Sequence, residues 1–247
     1  MLSDKILLED TKKIVLPSGI ECEIQELTAD AERILTNKAD IKSGQWINKF
    51  IAKALVKINN KPVPSNQGEL VNMLLDMRTG DRNYLLLQIR MQSYGDEMVF
   101  NYECPKCHKT SGYNFSLQEL LDTQELKIYP YREDTPISIE TREGVAEVDY
   151  LTGRKEQWLA TVKEIDPIYL AMAACVSFNG KAPEYKDFLK LKTRDISKIR
   201  AAFSELKGGL DPQIELNCDE CDNSYKVMLY QIPDFFMPTT TLASIGL

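Results

Sequence analysis

Six cysteines and a single histidine carry most of the ligand and redox chemistry open to this 247-residue chain. Four of the cysteines form two Cys-x-x-Cys pairs, Cys104-Pro105-Lys106-Cys107 and Cys218-Asp219-Glu220-Cys221. An alternating, strand-like run leads into each pair (Met98 to Cys104, Gln213 to Cys218), and another leaves it (Tyr113 to Leu117, Tyr225 to Tyr230). The pattern is strand, thiol knuckle, strand, twice. Each knuckle alone supplies only two donors. Together they supply the four thiolates of a closed, tetrahedral structural Zn²⁺ site, as in a zinc ribbon but with a far longer interval. Cys104, Cys107, Cys218 and Cys221 are therefore the expected zinc ligands, and the metal would clamp distant parts of the chain together.

Three other chemistries use the same residues. A redox-active pair belongs at a helix N-terminus, where the thiol pKa is lowered. Here strand-like sequence follows both pairs, and Asp219, Glu220 and Asp222 oppose thiolate formation in the absence of a cation. Cys104 to His108 fits the pattern of covalent haem attachment, but Asp222 takes the place of the histidine after the second knuckle. Disulfides are disfavoured in a reducing compartment. The charged segment Met1 to Leu16 lacks a secretory apolar core, so a cytoplasmic setting is expected. His108 reads as an exposed residue just past the knuckle. Cys22 and Cys175 read as small buried hydrophobes.

Other catalytic groupings are missing. There is no phosphate-cradling glycine loop, no serine elbow and no histidine-based triad or metal pattern. A zinc closed by four thiolates keeps no open position for a substrate. The reading is non-enzymatic, with no small-molecule substrate. No stretch has the length of a membrane span. The composition, 43% hydrophobic and 27% charged, is that of an ordinary globular chain. The net charge of −7 weighs against nucleic acid as the main partner, because phosphate binding needs a concentrated basic surface.

The elements needed to position the knuckles recur in order along the chain. A strand pair around Leu16, Gly19 and Ile24 has its counterpart around Thr141, Gly144 and Val148. Leu27-Thr28 and Leu151-Thr152 open helical stretches. An amphipathic helix from Trp46 to Ile58 matches one from Ile168 to Phe178. Asn59-Asn60 and Asn179-Gly180 then mark similar turns. Shorter helices follow over Leu70–Met77 and Tyr185–Leu191, and Asp81 and Asp195 occupy expected N-cap positions. The offset narrows from 124 residues at Leu27 and Leu151 to 114 at Cys104 and Cys218, a drift that short loop deletions accommodate. The expected fold is α+β, with two duplicated lobes, 1–130 and 131–247. Each lobe has a strand pair, helices and a knuckle hairpin, and one shared zinc-ribbon-like Cys₄ site joins them.

Beyond the last strand, Phe235 and Phe236 stand adjacent between Pro233 and Pro238. On a regular element both rings cannot face inward, so at least one is expected to anchor a partner protein.

Three segments resemble the baseplate-hub proteins of T-even phages: Asp81-Arg82-Asn83-Tyr84-Leu85-Leu86-Leu87, Ser93-Tyr94-Gly95-Asp96-Glu97 and Tyr102-Glu103-Cys104-Pro105-Lys106-Cys107. The opening Leu16-Pro17-Ser18-Gly19 and the closing Phe235-Phe236 are similar to that group as well. The resemblance is strongest over Asp81 to Leu117. It implies a structural or assembly component of a contractile-tail baseplate. Such a component works with other phage tail proteins, in the host cytoplasm during assembly and in the virion tail. The resemblance also implies zinc at the four knuckle cysteines. The alternative is a zinc-ribbon adaptor that binds nucleic acid or nucleoprotein. Lys106, His108 and Lys109 give it only a small basic patch, and the second knuckle is acidic.

Overall fold

The computed structural model describes residues 11–236. Strands β1 (Thr11–Val15) and β2 (Glu21–Gln25) form an antiparallel hairpin that turns at Gly19 and points Ile14, Cys22 and Ile24 inward. A 3₁₀ turn (Ala29–Ala31), α1 (Glu32–Thr36) and α2 (Lys38–Lys42) lead into α3 (Gln45–Ala54), which buries Phe50, Ile51 and Ala54. The apolar run expected to stay helical to Ile58 changes state at Leu55. There β3 (Leu55–Ile58) begins and pairs with β2, Cys22 opposite Ile58. Val56 and Ile58 are β-branched and suit a strand, and the free edge of β2 supplies backbone partners. β4 (Lys61–Pro62) completes a sheet in the order β1-β2-β3-β4.

Next come α4 (Gln67–Asp76), α5 (Thr79–Tyr94), the hairpin of β5 (Glu97–Glu103) and β6 (Thr110–Ser116), α6 (Leu117–Asp122) and β7 (Ile128–Tyr129). The chain then runs through β8 (Ile137–Thr141), β9 (Gly144–Val148), α7 (Gly153–Thr161), α8 (Pro167–Ala174) and β10 (Cys175–Phe178). As in α3, the expected helix through Phe178 stops early, and β10 pairs with β9 in a sheet ordered β10-β9-β8. The turns after β3 and β10 share one construction. Asn59 and Asn179 have positive φ (48° and 52°), and their side chains accept hydrogen bonds from the N–H groups of Glu21 and Val145. The chain closes with α9 (Tyr185–Phe188), α10 (Thr193–Glu205), β11 (Gly209–Leu210, paired with β7) and the hairpin of β12 (Gln213–Asn217) and β13 (Ser224–Met228). Among the described residues no helix is long and apolar enough to cross a membrane.

Two apolar cores result, and their division differs from a cut at residue 130. The larger draws on residues 14–126 and takes in Leu210, Ile214, Leu216, Val227, Leu229 and Ile232 from the C-terminal end. The smaller lies within 131–206. The second knuckle hairpin thus packs on the first core, and the chain crosses back over itself to place it there.

Asp81 and Asp195 are not N-caps. Arg78 and Lys192 occupy those positions, and both aspartates lie buried at the third residue of their helices. Asp81 accepts the Ser18 N–H at 3.1 Å, which pins the turn of the first hairpin. Burial pushes its carboxyl upward in pKa, opposed by Ser18 and the nearby Arg78. The adjacent Arg82 is almost fully buried and donates to Glu156 on α7 and, at 2.9 Å, to Asn48 on α3. Its guanidinium fills the space beside Gly153, where a Cβ would meet Cζ at 2.5 Å. At Gly80 a Cβ would lie 2.2 Å from the Gly208 carbonyl oxygen. The start of α5 is therefore a close-packed joint between early and late elements; Gly80 tolerates no side chain there, and one at Gly153 would displace the Arg82 guanidinium.

Phe235 and Phe236 also depart from expectation. Both rings are buried in the protein's own core, which overturns their reading as a partner anchor. A 3₁₀ turn over Pro233–Phe235 is the cause, since it rotates successive residues by about 120° rather than the 180° of a strand. Both rings can then turn inward. Phe236 packs edge-on against Phe50 at 4.7 Å and Trp46 at 5.5 Å, and against Phe235 at 4.6 Å. The polar stretch Thr239 to Ser244 lies outside the described residues.

Two outcomes are expected in chemical denaturation. Phe235→Ala lowers stability by about 3 kcal/mol through loss of core packing. Arg82→Ala costs about 3 kcal/mol by stranding Glu156 and Asn48. An unchanged midpoint for either variant contradicts the corresponding packing account.

Candidate metal centre

Each knuckle is the turn of its hairpin, and the two turns are built alike. In the first, the Cys104 N–H donates to the Lys109 carbonyl at 2.9 Å and the His108 N–H to the Cys104 carbonyl at 2.9 Å. In the second, the Cys218 N–H donates to the Asn223 carbonyl at 3.0 Å and the Asp222 N–H to the Cys218 carbonyl at 3.0 Å. His108 and Asp222 both take left-handed backbone, φ 59° and 53°. Histidine and aspartate are among the non-glycine residues that tolerate this conformation. That geometric demand accounts for the residue after each second cysteine. His108 is exposed, its Nδ1 lies 3.0 Å from Glu103, and it is not part of the sulfur cluster.

The four Sγ atoms converge, all within 4.8 Å of one another. Cys104 lies 3.8 Å from Cys221, and Cys107 lies 3.7 Å from Cys218. A tetrahedron with about 2.3 Å from centre to sulfur has edges of about 3.8 Å, so these spacings fit a metal at the centre. They far exceed the roughly 2.05 Å of a disulfide, and all six cysteines are free thiols. In each knuckle the first cysteine is buried and the second is half-exposed. The site is closed toward the core and partly open toward solvent.

The electrostatics call for a cation. Burial opposes ionisation of Cys104, but the N–H groups of Cys107 and Lys106, with help from neighbouring thiols, hold it down to about 6. The Glu220 N–H lowers Cys218 against its burial. At Cys221 the Asn223 N–H favours the thiolate, yet burial and the thiols of Cys107, Cys218 and Cys104 together push it up to about 12. The first thiolates to form thus block the last. A divalent cation removes that repulsion and lets all four ionise. Cys22 and Cys175, by contrast, are buried away from the cluster, and burial pushes each thiol up to about 12.

Contacts that the sequence pattern did not single out align the two hairpins. Tyr113 Oη donates to the Asn217 carbonyl at 3.1 Å, so Tyr225 Oη, 2.9 Å away, donates to Tyr113. The Tyr102 and Tyr225 rings stack at 6.1 Å, and Ser111 Oγ lies 3.9 Å from Cys218 Sγ. Lys109 pairs with Glu220 across the knuckles at 2.6 Å, although an exposed pair of this kind adds little. The only sequence hint of this seam is a concentration of tyrosines in the strands flanking the knuckles.

A family model described as T4 bacteriophage base plate protein matches residues 9–237, nearly the whole chain, and the protein belongs to that family. It is a phage baseplate protein of the T4 type. Comparison with curated proteins and with solved structures found no match. The Asp81-Arg82 segment that carries the sequence resemblance is the buried joint at the start of α5, and the cysteine segment is the first knuckle.

Because the ligands come from both hairpins, Cys104→Ser and Cys218→Ser should have the same effect. Each is expected to abolish metal binding at the cluster and to raise amide exchange in β5–β6 and β12–β13 together. One silent variant beside one severe variant rules out a shared site.

Proposed function

We propose that this protein is a non-enzymatic structural or assembly component of the hub region of a contractile-tail baseplate, held in shape by one structural Zn²⁺ on Cys104, Cys107, Cys218 and Cys221. The observation that carries this reading is the convergence of four thiols, from positions more than a hundred residues apart, in a chain of the baseplate family. Zinc is favoured over other metals by the donor set, four thiolates in hairpin knuckles at tetrahedral spacing. The metal's role here is mechanical, since four protein ligands leave no position for a reacting molecule.

The proposal includes a duplication. The strand meanders, the asparagine turns, the helices beginning at Thr79 and Thr193, and the two knuckles follow one order. Within it the second hairpin lies against the first, so each copy supplies half of the site. Its partners are other phage tail proteins, met in the host cytoplasm during assembly, with no membrane and no small-molecule substrate.

The test is recovery of the tagged protein from infected cells, followed by mass spectrometry of what comes with it. Baseplate hub components should co-purify, and a phage lacking the protein should accumulate incomplete baseplates. Retention on DNA with steep loss as salt rises, and no tail proteins in the eluate, would favour the nucleic-acid adaptor instead.

A further inference from the structure

Beside the C-terminal turn lies a groove of about 380 Å³, walled by Leu35, Ile41, Trp46, Tyr230 and Phe236. Gln231 is the one polar residue among those lining it. One wall is weakly held. α1 buries none of its residues and α2 only Asp40, and Ile41 is 48% exposed. The opposite wall and floor are firm, because Phe236 and Trp46 are fixed by their ring contacts with each other and with Phe50. An aromatic floor beside a partly exposed aliphatic wall suits burial of a partner's apolar side chains.

The charges on that wall indicate what the partner carries. Arg33, Lys38 and Lys42 are exposed on α1 and α2 together with Glu32; Arg33 acts on the nearby Asp30 carboxylate, whereas Lys38 and Lys42 make no ion pair among the described residues. Their neighbours Lys49 and Lys53 are already neutralised by Asp40 and Asp30. Arg33 and Lys42 lie in last helical turns, where they also offset helix carbonyls. Lys38 opens α2, where the helix dipole disfavours a cation, so helix stability does not account for it. Lys38 and Lys42, on the helix that carries Ile41, are thus unpaired positive charges in a chain of net charge −7, and carboxylates on a partner would complement them.

We propose that this groove docks an acidic amphipathic segment of another protein of the baseplate, its apolar side chains against Trp46 and Ile41 and its carboxylates toward Lys38 and Lys42. The inference rests on the assembly reading above and specifies the partner's chemistry.

The test uses the full chain carrying Trp158→Phe, which leaves Trp46 as the single tryptophan. Two designed helical peptides with the same leucine face, one flanked by glutamates and one by lysines, are titrated against its emission. Saturable change with the glutamate peptide is expected. Binding should be at least about tenfold weaker for the lysine peptide and should weaken with salt. Ile41→Asp should abolish the change without altering the thermal midpoint, since Ile41 is exposed. Lys38→Glu/Lys42→Glu should reverse the peptide preference. Absence of saturable binding, or equal affinity for both peptides, overturns the proposal. So does an emission change that tracks protein concentration alone with parallel self-association, because the groove then serves a second copy. Any of these results alongside normal incorporation into baseplates refutes the docking site and leaves the assembly role standing.

Discussion

Four thiols held within 4.8 Å of one another are the constraint on which the rest of the structure turns. Thiolates at such spacing repel, so the cluster is stable as a fully ionised set only around a cation. With the cation in place, the hairpin at 213–228 is fastened to the hairpin at 97–116, and the long stretch between them becomes a closed loop. Closing a loop of that length is entropically costly, but the cost grows only slowly with length. A clamp on so long a loop removes more freedom from the unfolded chain than one on a short loop, though only slightly more.

The clamp does not act alone. The C-terminal strands also bring Ile214, Leu216 and Val227 into the larger core, and the turn after them adds Phe235 and Phe236. At the start of α5, Arg82 reaches Glu156 and Asn48 from a fully buried position. Distant parts of the chain thus meet at three places, at the converging thiols, in aromatic packing and at a buried charge. A body built this way suits a part that must keep its shape while other proteins load against it. Its short helices α1 and α2, by contrast, bury almost nothing and leave an apolar, cationic face.

The parts legible in the sequence were those that need particular residue types. Paired cysteines announce a four-donor site, and asparagine before asparagine or glycine announces left-handed turns. What periodicity misjudged was the junction at Ala54–Leu55 and again at Ala174–Cys175. There an apolar run passes from helix to strand without a break in hydrophobicity, and only the neighbouring strand decides the change. Asp81 was misplaced because an aspartate near a helix start suggests a cap, whereas its carboxylate serves Ser18 in another element. The inward turn of both phenylalanines depended on a 3₁₀ turn whose one local signal, Pro233 at its first position, reads equally well as a chain break. The knuckle seam of Tyr102, Tyr113 and Tyr225 became visible only once the two hairpins lay side by side.

The most direct measurement of the central claim is X-ray absorption at the zinc edge of the purified full-length protein, combined with its metal content. The account predicts one zinc per chain with a first shell of four sulfurs at about 2.3 Å. A shell containing nitrogen or oxygen, a metal other than zinc, or one metal bound per pair of chains through cysteines of different molecules would contradict it.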